Sequence, residues 1–219
     1  MTIRRDLERL EAEGLLRRTH GGAVWKGVTP EPPAQVRNSR QVQEKERIGR
    51  AAAALVTDGE AVLLDSGSTT AQVARALRDR RGLTVVTNDI YVATQFADVN
   101  GITVIVPGGV LAAGSFALVG PDAERFLGRV QVDKAFIAAG GVSVEHGLTV
   151  SSPLEASVKR IMLATAQQVI LCCDHTKLGK SALVPFGLLK HVHTLITDIG
   201  AAEQQAAPLR EAGIEVISV

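Results

Sequence analysis

This chain of 219 residues is poor in aromatics, at 3%, so its core must be aliphatic, built mainly from Val, Leu, Ile and Ala. It has no apolar run approaching the ~20 residues that a membrane-spanning helix requires, which excludes an obvious span. Charge continues where the apolar region of a secretory signal should sit, so export is not expected and the cytoplasm is. Cysteine is nearly absent. The two present, Cys172 and Cys173, are neighbours in the apolar run VILCC. Adjacent strand residues point to opposite faces, so a mutual disulfide is not expected; two buried thiols in a reducing compartment are. Net charge is only +1, so any contact with nucleic acid must come from placed charges and not from bulk potential. There is no G-x-S-x-G nucleophile elbow and no GxGxxG fingerprint, and His191 and His193 have no Cys–His spacing to complete a metal site. No metal and no cofactor are expected.

What is present falls into two unequal parts. Residues 2–13 read as a helix, with Ile3, Leu7 and Leu10 on one stripe and Thr2, Arg5 and Arg9 on another. Gly14 suits its C-terminal stop, and LLRRTHGGAV reads as a short hairpin around Gly21–Gly22. Residues 26–41, with Pro30, Pro32 and Pro33, read as an extended linker. From 42 onward, short β-rich runs alternate with helical segments. That pattern predicts an α/β domain over 42–219, with a mainly parallel sheet and helices on both faces. Residues 110–119 and 142–152 are less regular and read as hairpin or loop excursions.

In open α/β sheets ligands bind outside the carboxyl ends of the strands, so the residues after each strand are the informative ones. After the first come Asp65, Ser66, Gly67, Ser68, Thr69 and Thr70, leading straight into a helix. Small hydroxyls and a glycine at a helix start offer N–H and O–H donors to an anion. The next loops carry Asn88, then Gly108–Gly109, then Gly140–Gly141, then Asp174, His175, Thr176 and Lys177. Any one loop could be a cap or a turn. Five at one edge outline a polar cup with small walls, one phosphate cradle and one lysine, which fits a small phosphorylated polyol. Asp174 with Lys177 could move a proton at a sugar carbon, or Lys177 could simply neutralise a phosphate.

Several motifs resemble one known family. TIRRDLERLEAEGLLRRTHGGAV resembles the second half of the winged helix-turn-helix of DeoR-type transcriptional regulators. EKERIGRAAAALVTDGEAVLLDSGSTT, TVVTND, VPGGVL, DKAFIAAGGVSVEHGLTVSS, EASVKRIM and ILCCDHTKLG resemble successive motifs of that family's effector domain, in order, over nearly the whole chain. The resemblance implies a repressor of carbohydrate genes whose effector domain is similar to ribose-5-phosphate isomerase. Residues 1–25 would be a partial winged helix-turn-helix, 26–41 the linker and 42–219 the sensor. It implies operator contacts by Thr2, Arg4, Arg5, Arg17, Arg18 and His20. A phosphate would be held by Ser66–Thr70, and a sugar site lined by Asp65, Asn88, Gly109, Gly141, Asp174 and Lys177. Ser68 stands where the family usually has Thr, and the hydroxyl survives. The family's helices ahead of the recognition helix would lie upstream of Met1, so operator binding is expected of a longer parent protein. A homo-oligomer on repeated half-sites is expected. The competing expectation is a sugar-phosphate isomerase or deaminase with Asp174 and Lys177 as catalytic residues.

Overall fold

Runs of branched aliphatic residues build the sheet of this protein, because crowding at Cβ favours extended backbone. The computed structural model describes residues 16–19, 22–25, 32–201 and 203–219, the first two stretches by backbone alone. The chain divides into two units, Met1–Glu31 and Pro32–Val219. In the first, β1 (Leu16–Thr19) and β2 (Gly22–Trp25) pair antiparallel with Thr19 opposite Gly22. The expected hairpin is there, with Gly22 in its second strand and not in the turn. Thr2, Arg4, Arg5, His20 and the expected helix over 2–13 lie outside the described residues; Arg17 and Arg18 lie on β1.

The second unit begins with α1 (Ala34–Asn38), α2 (Val42–Ala54), β3 (Ala61–Leu64), α3 (Ser68–Ala76), β4 (Thr84–Thr87), α4 (Ile90–Thr94) and β5 (Thr103–Ile105). A small hairpin, β6 (Val110–Leu111) and β7 (Leu118–Val119), leads to α5 (Pro121–Leu127) and β8 (Val132–Ile137). There follow β9 (Gly141–Ser143), β10 (Gly147–Val150), α6 (Pro153–Ala164), β11 (Ala166–Cys172) and a 3-10 turn, His175–Lys177. The chain closes with β12 (Val184–Gly187), β13 (Thr194–Thr197), α7 (Glu203–Glu211) and β14 (Glu215–Ser218).

Seven strands form one sheet in the order β14-β13-β11-β8-β3-β4-β5, and every pairing in it is parallel. The chain runs outward from β3 to β5, then starts again at β8 on the other side of β3. Strand order therefore reverses between β3 and β8, and the crevice beyond their carboxyl ends is the ligand position of such sheets. Strand parity divides the core. Val62, Leu64 and Phe136 pack with Ile48, Ala52, Val73 and Ala74 of α2 and α3. Leu63, Ala135 and Ile137 pack with Leu127, Ala156, Met162 and Leu209 of α5, α6 and α7. Helices thus cover both faces of a mainly parallel sheet, as expected. Cys172 and Cys173 fall into opposite cores and both are free thiols.

One stretch differs from expectation. Residues 34–38 are helical within the stretch read as extended, because Pro33 takes the N-cap position, where its missing N–H costs nothing. The irregular 142–152 region forms an antiparallel hairpin of β9 and β10, one of the two forms expected, and β12 joins it in a sheet of order β12-β10-β9. The strand VPFG carries Pro185, which an edge position tolerates and a central one does not. Among the described residues no helix is long and apolar enough to cross a membrane.

Candidate functional site

At the end of β3, Asp65 is fully buried. A carboxylate in such a place must be paired and hydrogen-bonded. Its Oδ1 accepts from the Ser66 N–H at 2.8 Å, and its Oδ2 accepts from the Ala138 N–H at 2.9 Å and from the ammonium of Lys159. Lys159, on α6, also donates to the Ala138 carbonyl at 3.0 Å and lies 5.6 Å from the ring centre of Phe186. One carboxylate therefore joins the exits of β3 and β8 to α6, directly across the switch point. Asp65, expected to line the site, is part of its frame.

The loop above it is different. Gly67 is the N-cap of α3 and no side chain caps that helix. Thr70 donates its hydroxyl to the Gly67 carbonyl at 2.9 Å. The hydroxyls of Ser66, Ser68 and Thr69 have no partner among the described residues and are not sealed from solvent. The first intrahelical acceptor, Gly67 O, is taken by Ala71 N–H, so the amides of residues 68–70 have none. Neighbouring first turns are closed by their own side chains. Asp89 accepts from the N–H groups of Tyr91 and Val92 at 2.8 and 3.0 Å. Ser152 accepts from Glu155 N–H at 3.3 Å, and Asp174 accepts from both the N–H and the hydroxyl of Thr176. Of these four, α3 alone presents an open, positive first turn with free hydroxyls beside it.

Asn88 follows β4, is 1% exposed, and donates from Nδ2 to the Leu118 carbonyl at 3.1 Å. Its own backbone carbonyl accepts from Leu118 N–H at 2.7 Å, so it holds the β6–β7 hairpin over the strand ends. Its Oδ1 is buried with no hydrogen-bond partner among the described residues. Burial raises the Asp89 carboxyl above its ordinary range, and the nearby charge of Asp65 adds to this. Gly109 has φ 141°, and a Cβ there would lie 2.7 Å from the Val119 carbonyl oxygen, so the hairpin itself demands glycine. Gly141 is buried, and its Cβ would meet the Lys180 carbonyl oxygen at 2.5 Å. Both glycines are explained by the chain's own packing.

Asp174 is 2% exposed and Lys177 half-buried in the turn after β11. They share their surroundings with a residue the sequence reading missed, Lys45 on α2. Lys45 is 5% exposed and donates to the carbonyls of Arg37 and Arg40 at 2.8 and 2.6 Å. Burial lowers its pKa, the charge of Asp174 opposes this and that of Lys177 adds to it. Lys159 was missed as well. The available signal was periodicity: Lys45 shares a stripe with Ile48, Gly49 and Ala52, and Lys159 with Ala156 and Met162, all buried. A lysine on such a stripe must find partners inside.

The loops abut one another around the crevice. A Cβ on Gly67 would lie 2.9 Å from that of Ala138, and Gly179 N–H donates to the Val142 carbonyl at 2.8 Å. His191 and His193 accept backbone N–H groups at Nδ1, from Leu188 at 3.2 Å and Val169 at 3.0 Å. Among the described residues no group of three or more His, Cys, Asp or Glu side chains could hold a metal ion.

Known proteins resemble this chain over most of its length. Residues 40–199 match the family described as DeoR C terminal sensor domain, and residues 1–27 match the DeoR-like helix-turn-helix domain. The chain is 38% identical over 201 residues to the transcriptional repressor AccR of Agrobacterium fabrum, covering 91% of this chain and 78% of that protein. It is 38% identical over 198 residues to the HTH-type transcriptional repressor GlcR of Bacillus subtilis, covering 90% and 76%. With the HTH-type transcriptional regulator GlpR of Haloferax volcanii it shares 35% over 219 residues, covering 99% and 85%. Among solved structures, eIF2B delta from Chaetomium thermophilum matches with TM-score 0.50 and 15% identity over 74% of this chain and 57% of that one, a likeness of fold alone. Ribose 5-phosphate isomerase A from Methanocaldococcus jannaschii gives TM-score 0.45 and 19% identity, over 61% and 52%.

Proposed function

This chain belongs to the DeoR family of transcriptional regulators, and on that premise we propose that it is a cytoplasmic, oligomeric repressor of carbohydrate genes controlled by a phosphorylated sugar. The observation that carries the ligand class is the open first turn of α3. Three free hydroxyls, three unpaired amides and the positive helix end fall in one short loop, while the first turns at Asp89, Ser152 and Asp174 are closed by side chains. A phosphate dianion satisfies all of them together. Asn88, with an unpartnered buried oxygen, and Lys177 supply the polar walls for the polyol. Operator contacts by Thr2, Arg4, Arg5, Arg17, Arg18 and His20 belong to the same proposal. The isomerase reading is the weaker one, because Asp174 engages Oδ1 in capping its own turn and is almost wholly enclosed.

The test is a thermal-shift screen of hexose and pentose phosphates, each against its unphosphorylated sugar, followed by retention of DNA from upstream of its own gene with and without the best ligand. A site ligand at 100 times its Kd stabilises by about 2.7 kcal/mol. The phosphorylated form alone is expected to stabilise, Lys177→Ala to remove the effect, and the ligand to change DNA retention. Equal shifts with sugar and sugar phosphate overturn the phosphate assignment. Turnover of a sugar phosphate overturns the repressor assignment in favour of an enzyme.

A further inference from the structure

The turn after β11 is joined to the loop after β13 by a second ordered pair, His175 and Asp198. Asp198 follows β13 and is 1% exposed. Its Oδ1 accepts from the backbone N–H of His175 at 2.7 Å; its Oδ2 pairs with His175 Nδ1 at 2.8 Å and accepts from Gly200 N–H at 3.0 Å. Burial pushes its carboxyl up, but these donors outweigh burial and hold it below the ordinary range. An ionised carboxylate only accepts hydrogen bonds, so the proton of the neutral imidazole resides on Nδ1 and Nε2 carries a lone pair. Gly200 makes the arrangement possible. A Cβ there would lie 2.6 Å from Asp198 Oδ2, 2.7 Å from His175 Nδ1 and 3.1 Å from His175 Cε1.

The loop at 198–200 thus fixes the ring of a residue in the turn after β11, yet the ring's outer nitrogen has no hydrogen-bond partner among the described residues and the side chain is 32% exposed. His191 and His193 instead accept a backbone N–H at Nδ1, so of these three rings only that of His175 has its Nδ1 engaged by a carboxylate. His175 stands at the carboxyl ends of the strands, in the same turn as Lys177 and next to Asp174.

We propose that His175 reads one hydroxyl of the effector through Nε2, with Asp198 as the positioning residue that sets the ring's angle and tautomer. This rests on the sensor reading above. The hydroxyl donates and Nε2 accepts. A ligand lacking that hydroxyl, or bearing fluorine in its place, leaves Nε2 unpaired, which is how a built site rejects a near-isostere.

The experiment is calorimetric titration of the full chain with the tightest-binding sugar phosphate of the screen and its monodeoxy and monodeoxyfluoro analogues. For wild type, one position is expected to cost about five- to tenfold in affinity as either analogue. In His175→Phe the parent sugar weakens by the same factor and the difference at that position disappears. In Asp198→Asn the amide can donate to Nδ1 and move the proton to Nε2, so the fluorinated analogue regains affinity relative to the parent. The 15N shifts of His175 are expected to show the Nδ1–H form in wild type and the reversed form in that variant. A uniform loss for parent and all analogues in His175→Phe overturns the proposal. Should His175→Phe not fold, Asp198→Asn decides: relaxed discrimination against fluorine supports the proposal, and unchanged discrimination overturns it. Binding by no sugar phosphate overturns the sensor reading and this inference together, which separates that failure from one at His175 alone.

Discussion

Lys159→Met is the sharpest probe of the crevice floor. The substitution keeps the stem and removes the ammonium, leaving the Asp65 carboxylate fully buried with two backbone donors, Ser66 and Ala138. Breaking a buried ion pair costs about 3–5 kcal/mol because the remaining charge is uncompensated. The two retained N–H bonds hold this toward the low end, while the lost 3.0 Å bond to the Ala138 carbonyl adds about 1 kcal/mol. The sum is about 4 kcal/mol. With a urea m-value of roughly 3 kcal/mol/M, the unfolding midpoint followed by far-UV circular dichroism should fall by about 1 M. Asp65→Asn alone should also be costly, since it strands the ammonium. Combining the two removes both charges, and the double variant should be more stable than additivity requires by about 1–3 kcal/mol. A loss below about 1 kcal/mol for Lys159→Met, the range of an exposed pair, would refute the reasoning. So would a double variant whose loss equals the sum of the singles.

Other consequences are open to measurement. Because burial raises the Asp89 carboxyl, the folded state holds that proton more tightly than the unfolded chain does. Wild-type stability is therefore drawn down as pH rises from the ordinary carboxylate range through the raised value. Asp89→Asn keeps an oxygen for Tyr91 and Val92 and should gain on wild type over that interval; a pH-independent difference would exclude the effect. Gly109→Ala forces a side chain into φ 141° and toward the Val119 carbonyl, at a cost of about 1–3 kcal/mol. An unchanged Tm would show that the hairpin has another conformation at no cost. Burial raises both cysteine thiols, so a thiol reagent should modify Cys172 and Cys173 only on unfolding; stoichiometric labelling of native protein contradicts the packing.

The alternation of short aliphatic runs with helical segments was enough to place the strands of the parallel sheet, because buried parallel strands are nearly continuous in Val, Ile and Leu. It was silent on β12, whose four residues include a proline and whose partner, β10, lies in a separate small sheet. The strand ends could be read as a polar edge, but not which residues form frame and which remain open. Asp65, Gly109 and Gly141 look like ligand residues in sequence, and each is accounted for by partners 10 to 73 residues away that no local pattern announces: Val119 for Gly109, Lys180 for Gly141, Ala138 for Asp65. Lys45 and Lys159 were the readable omissions, since a cation on a buried helical stripe breaks the binary pattern. His175 was noted without its orienting partner, because Asp198 arrives on another strand.

The strand order also sets a timetable. β3, β4 and β5 are contiguous in sequence and can pair among themselves as soon as they exist, but the other edge of β3 waits for β8. Asp65 meets Ala138 and Lys159 only 73 and 94 residues later. At ribosomal rates this leaves β3, an interior strand of the finished sheet, as a bare edge for roughly 4–15 seconds, with its carboxylate still in water. In that interval the nascent chain carries an unpaired strand edge open to other chains, the usual route to misassembly. The seam that forms the crevice waits for the second half of the chain, so a half-made chain has a sheet but nothing with which to sense.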